Sequence, residues 1–156
     1  MALTNKNDEL KVNFGLINVE KLKFFENDPN EVGFNEKIKN KVNTVIHTEL
    51  DIDIENETIG IILEITFKSS TNGDIDLFGI KTRHLYKINN ITSIVKKSDN
   101  NDFNIPDRFL ATLISIAYSG TRGMLAILNA NNKYRKLLLP IVQPTKLLPQ
   151  KKGNCE

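Results

Sequence analysis

Apolar and polar residues alternate along most of the first half of the chain. From Phe34 to Ile54 the even positions include Phe34, Ile38, Val42, Ile46, Leu50, Ile52 and Ile54. The odd positions carry Lys37, Lys39, Lys41, Asn43, Val45, His47, Glu49, Asp51, Asp53 and Glu55, polar but for Val45. A period of two puts one apolar and one polar face on an extended strand, as in a sheet with one side in water. The run exceeds the usual strand of about 5–6 residues, so a bulge or bend is expected inside it. Glu57 to Lys68 repeats the pattern, with Ile59, Ile61, Leu63, Ile65 and Phe67 on one face and Glu64, Thr66 and Lys68 on the other. The polar cluster Ser69–Asp74 reads as a turn, and Ile75 to Ile88 as the next strand. A further strand is expected within Leu10–Phe25, where alternation is weaker. Strands joined by short polar turns predict an antiparallel sheet.

After Asn104 the period changes. Pro106 and Asp107 suit a first helical turn. Phe109, Leu113, Ile116, Ala117, Gly120 and Met124 follow at helical spacing, and Leu110, Ile114, Leu125 and Leu128 widen the stripe. A helix apolar nearly all round needs cover on two sides. The sheet supplies one, and the short C-terminal segment is too small for the other. The pattern therefore predicts a homo-oligomer, with Phe109, Leu113, Ile116, Gly120, Gly123 and Met124 as interface candidates. The glycines in Ser119–Gly123 read as points of close packing. Pro140, Pro144 and Pro149 confine the tail to a short helix at about Thr145–Leu148. The expected fold is α+β: a four-stranded antiparallel sheet, a long C-terminal helix and a short second helix. It forms one domain over residues 1–156, with a short flexible tail from about residue 149.

Composition narrows the function classes. The formal net charge of +2 is too small to draw the chain to nucleic acid by field strength. The single cysteine, Cys155, excludes an internal disulfide and any multi-cysteine metal site. No basic, then apolar, leader opens the sequence, and no run approaches the ~18 consecutive apolar residues of a membrane span. A reducing cytoplasmic location without stable membrane insertion is expected. His47 and His84, the two histidines, have no neighbours at metal-ligand spacing. Nucleophile-elbow, dinucleotide and phosphate-loop motifs are missing. The expectation is a non-enzyme with no catalytic residues, metal or cofactor.

Two constellations remain. Glu49, Asp51, Asp53 and Glu55 fall on one face by alternation, either as a solvated face or as a docking patch for a basic partner. Phe24 and Phe25, then Val32 and Phe34, flank the turn-forming Glu26–Asn30. They either anchor that loop to the core or line an apolar groove open to solvent.

Taken in order, these features resemble the SecB family of protein-export chaperones and SecB-like proteins. The most specific residues are Pro106-Asp107-Arg108-Phe109, Ile116 to Gly123, and Leu139-Pro140-Ile141-Val142-Gln143-Pro144-Thr145-Lys146-Leu147-Leu148. The likeness spans roughly residues 10–148. It implies an ATP-independent holdase for unfolded or extended polypeptide clients, assembled as a dimer of dimers. It also implies a client groove at Phe24, Phe25, Val32, Phe34, Leu147 and Leu148. An acidic face drawn from Glu49, Asp51, Asp53 and Glu55 would dock the SecA motor. The chain departs from the export members in its basic charge and its ending with Lys151 and Lys152, which argues against SecA docking. A dedicated client such as an antitoxin is then as good an expectation as general export. The rivals are a module that binds one folded partner, such as an immunity or scaffold protein, and a hot-dog thioesterase, whose helix comes early rather than after the strands.

Overall fold

The computed structural model describes residues 12–71 and 74–149. Four long strands form one antiparallel sheet: β1 (Phe14–Glu26), β2 (Val42–Asp53), β3 (Thr58–Ser69) and β4 (Ile75–Ile88). Their order across the sheet is β1-β4-β3-β2. Ile59, Ile61, Leu63, Ile65 and Phe67 of β3 are each at most 2% exposed, so the period-two pattern is realised as one dry face. β1 and β2 are the two edges, and the segment between them must travel from one edge to the other.

That crossover corrects the expected strand from Phe34. Glu36–Lys41 is a 3-10 helix, and extended structure begins only at Val42. Asn35 ends the alternation by capping: its side chain accepts from the Lys37 backbone N–H at 2.9 Å. Just before it Gly33 holds φ +67°, a value that favours glycine. The apolar residue at Ile38 matches the strand period but sits on a helical turn.

Helix α1 (Asp107–Leu128) lies across the helix-side face of β3 and β4. It buries Leu110, Leu113, Ile114, Ala117, Thr121 and Leu125. Two hydroxyl contacts fix its seat. Tyr86 donates to the Leu113 carbonyl at 2.9 Å, and the Thr82 and Thr121 hydroxyls meet at 2.8 Å. Buried polar groups paired this way set one rotation of the helix. The C-terminal segment covers the β2 side of the helix: Leu139 and Leu147 are buried, and Tyr118 donates to the Pro140 carbonyl at 2.6 Å. Its short helix is a 3-10 turn at Pro144–Leu147, one residue before the expected place. The part of the predicted tail beyond residue 149 lies outside the described residues. By length and apolarity α1 could cross a membrane; here it packs on the sheet.

Between β4 and α1 the chain makes a small ribbon, β5 (Lys96–Lys97) with β6 (Phe103–Asn104), which the sequence pattern did not announce. At the other end of the sheet a row of aromatic rings closes the core. Phe67 stacks on Phe78 at 4.3 Å, Phe78 meets Tyr134 at 5.0 Å, and Tyr134 meets Phe34 at 5.1 Å.

Candidate functional site: an open seam between the first strand and the helix

The predicted groove residues do not form one groove. Phe34 is buried in the aromatic row, so it anchors the crossover rather than lining an exposed site. Tyr134 holds the same loop, donating to the Asn27 carbonyl at 2.6 Å, and burial pushes its phenol up to about 12. Phe25 is half-buried, its ring folded over Gly79, where a Cβ would come within 2.5 Å of it. Phe24 and Val32 are half-buried against the core. A cavity of about 850 Å³ does open beside Phe34 and Tyr134. Its rim is polar, however, with Asn30, Asn35, Asn131, Asn132 and Arg135. Leu147 and Leu148 line a separate cavity of about 340 Å³ with Ile46, His47 and Thr48 of the β2 edge.

The acidic quartet is also divided. Glu49, Asp51 and Asp53 stand on the face of β2 away from the helix, whereas Glu55 falls in the turn after it, off the shared face. Asp51 accepts from Arg83 at 2.7 Å, and Arg83 also lies 3.9 Å from Glu20. Asp53 accepts from the Asn56 side chain at 2.7 Å, which holds its carboxyl below the usual range. Glu64 with Lys81 and Asp76 with Lys68 continue the pattern. The outer face is thus a lattice of opposite charges rather than an uncompensated acidic patch.

The interface candidates on α1 part into two groups. Leu113 is fully buried beneath the helix, Met124 half-buried, and Phe109 is edge-on to Phe14 at 5.6 Å. These belong to the protomer's own core. Gly120 sits directly over His84, since a Cβ there would come within 2.8 Å of the imidazole Nε2. The close neighbour expected of this glycine is therefore in the same chain. Gly123 has open space around it, and Ile116 and Ile127 are exposed.

Phe109 of α1 meets Phe14 of β1, and Gly120 lies over His84, the β4 residue paired with Val19, which puts this flank of α1 on the β1 side. The β1–β4 register places Leu16 opposite Tyr86 and Val19 opposite His84, both on the helix side of the sheet. Yet Leu16, Ile17, Val19 and Leu22 are each more than 40% exposed. Register shifts between Leu16 and Asn18 and between Lys21 and Lys23 turn Ile17 and Leu22 outward. Among the described residues the strand pairs only with β4, and its other edge carries backbone donors and acceptors without a strand partner there. A thirteen-residue edge with four exposed aliphatics, beside a helix flank of Ile116, Gly123 and Ile127, forms an extended apolar feature left open among the described residues. Sequence reading placed a strand within Leu10–Phe25 but did not single out its exposed aliphatics, because the two bulges break the alternation. The available signal was four aliphatic residues within the seven of Leu16–Leu22.

Among the described residues no cluster of histidine, cysteine or carboxylate side chains is arranged to hold a metal. No family model matches the chain, and no curated protein matches it. Among solved structures it is similar to a SecB-like chaperone of Mycobacterium tuberculosis, in complex with a ChAD peptide from an antitoxin. The identity is 12%, the TM-score is 0.41, and the match covers 83% of this chain and 87% of that one.

Proposed function

We propose that the protein is a non-enzymatic, ATP-independent binder of extended polypeptide segments that works in the cytoplasm as a homo-oligomer. The observation that carries this reading is the long, apolar edge of β1, unpaired among the described residues. Such an edge accepts another extended strand by backbone hydrogen bonding, and the exposed side chains add apolar area on either side.

The first occupant of that edge is a second copy of the chain. An antiparallel partner centred between Lys21 and Leu22 sets Glu20 opposite Lys23 on the outer face. It sets Val19 opposite Phe24 on the helix side, because the bulge at Leu22 restores the side-chain parity on both strands. Opposite charges and apolar pairs then meet twice about a two-fold axis, as a self-complementary interface requires. Pairing of this kind also brings the Ile116–Gly123 flank of each helix towards its partner. Polypeptide clients, a dedicated one such as an antitoxin or exported chains in general, are left the aliphatics outside that interface. Leu138 and Ile141 on the C-terminal segment are 56% and 86% exposed. The balanced charge of the outer face gives no support to docking of the SecA motor.

The test combines native mass with suppression of aggregation of a reduced, unfolded protein, with and without ATP. A dimer or tetramer that slows aggregation equally in both conditions is expected. A compact monomer without effect on aggregation overturns the reading.

A further inference from the structure

His84 is the least accommodated polar side chain in the core. It is 1% exposed, and among the described residues neither imidazole nitrogen has a hydrogen-bond partner. It points from β4 into the notch that Gly120 leaves in the helix. Its cross-strand neighbours are apolar: Ile61 on β3 and Val19 on β1. A buried imidazole without partners contributes little to stability that an apolar residue would not supply better. What it adds is a group whose charge changes near neutral pH.

We propose that His84 is an acid-sensitive latch whose protonation opens the seam between α1 and β1. The groups that face it leave an imidazolium without compensation. From β1 the nearest ionisable side chain on this face is Lys21, a like charge, opposite Thr82. Glu26 lies at the far end of the strand, opposite Phe78, and is engaged by Asn132 at 2.7 Å. From β4 there is Tyr86, whose phenol is pushed up by burial and already donates to Leu113. β3 offers Ile59, Ile61 and Leu63, and the sheet-facing row of α1 offers Ala117, Thr121 and Met124.

An imidazolium must therefore reach water. The short way leads past Gly120 and the half-open Val19, through the seam where the helix has no second cover. Burial pushes the His84 pKa down in the closed form. The open form keeps a value near the ordinary 6.5, so below that pH it binds the proton that the closed form refuses. Closure is complete at neutral pH and is lost as pH falls, with the opening constant rising up to about tenfold per pH unit for one proton.

The seam is also the face assigned above to a second copy, so acid should loosen association. This last step rests on the proposed function; the latch itself does not. Amide hydrogen exchange of residues 113–125, corrected for the chemical rate, reads opening within one protomer. Sedimentation reads association separately. In wild type, opening should rise roughly tenfold per pH unit below about 6.5, while His84→Gln and His84→Met stay flat. A variant that opens with acid as wild type does overturns the latch. So does a wild-type His84 that titrates by NMR at the ordinary histidine value with unchanged exchange in α1. Should His84→Met not fold, His84→Gln and the wild-type titration decide. A chain monomeric at every pH sinks the association reading alone.

Discussion

Phe34 and Phe25 flank one loop, yet their surroundings assign them different work. Phe34 closes a row of rings that runs through Tyr134 and Phe78 to Phe67. Its truncation leaves a cavity that a crossover loop held by Tyr134 cannot fill. Phe34→Ala should therefore lower unfolding free energy by ~3–5 kcal/mol in urea denaturation, the range of core aromatics. Phe25 keeps one side in solvent and covers Gly79 with the other, so Phe25→Ala should lower it by clearly less. The two glycines of the helix divide in the same way. A methyl group at Gly120 meets the His84 ring, and Gly120→Ala should destabilise the protomer by ~1–3 kcal/mol through overpacking. A methyl group at Gly123 meets nothing among the described residues, so Gly123→Ala should gain up to ~1 kcal/mol of helix propensity in the monomer. Thermal melts at a concentration low enough to dissociate any oligomer separate the two.

At the scale of elements, the sequence was most legible where alternation continues unbroken. β3 and β4 were readable nearly to the residue because Ile59 to Phe67 and their partners on β4 bury one face without interruption. The helix was readable because its apolar stripe follows Pro106 and Asp107 closely. Legibility failed where a local hydrogen bond overrides periodicity. At Asn35 a side-chain cap starts a 3-10 turn inside an alternating run, and Asn35→Ala should release it at a loss of ~1 kcal/mol, again by urea denaturation. In β1 the two bulges scatter four aliphatics over both faces and the edge, so a period-two count undervalues the strand. The site suffered most from this. Leu113 was read as an interface contact, and Phe34 was left between core anchor and groove lining, because an apolar stripe shows how much of an element needs cover, not which neighbour supplies it. Leu16, Ile17, Val19 and Leu22 were passed over for the opposite reason.

For the whole molecule the deciding question is what covers the β1 edge, and the charges on its outer face give a way to ask it. In the pairing proposed here Glu20 of one copy stands beside Lys23 of the other, twice per dimer. Glu20→Lys puts like charges at both places, and so does Lys23→Glu; each should weaken association, measured as the dimer dissociation constant by sedimentation. The double variant Glu20→Lys with Lys23→Glu restores opposite charges in the same register and should recover most of the loss. Cross-strand charge pairs of this kind contribute roughly 0.2–1 kcal/mol each, so two sites predict a shift of up to about thirtyfold between single and double variants. Raising salt should shrink the difference, since these side chains are near the surface. Glu20 also has a partner within its own chain, Arg83 at 3.9 Å, and its reversal could perturb the protomer. Lys23→Glu is free of that contact, and equal unfolding midpoints for the variants would confine the effect to the interface. Recovery in the double variant would establish the register, because no other alignment of two β1 strands sets these positions against each other. A double variant as weak as the worse single one would refute the pairing and return the edge to the client.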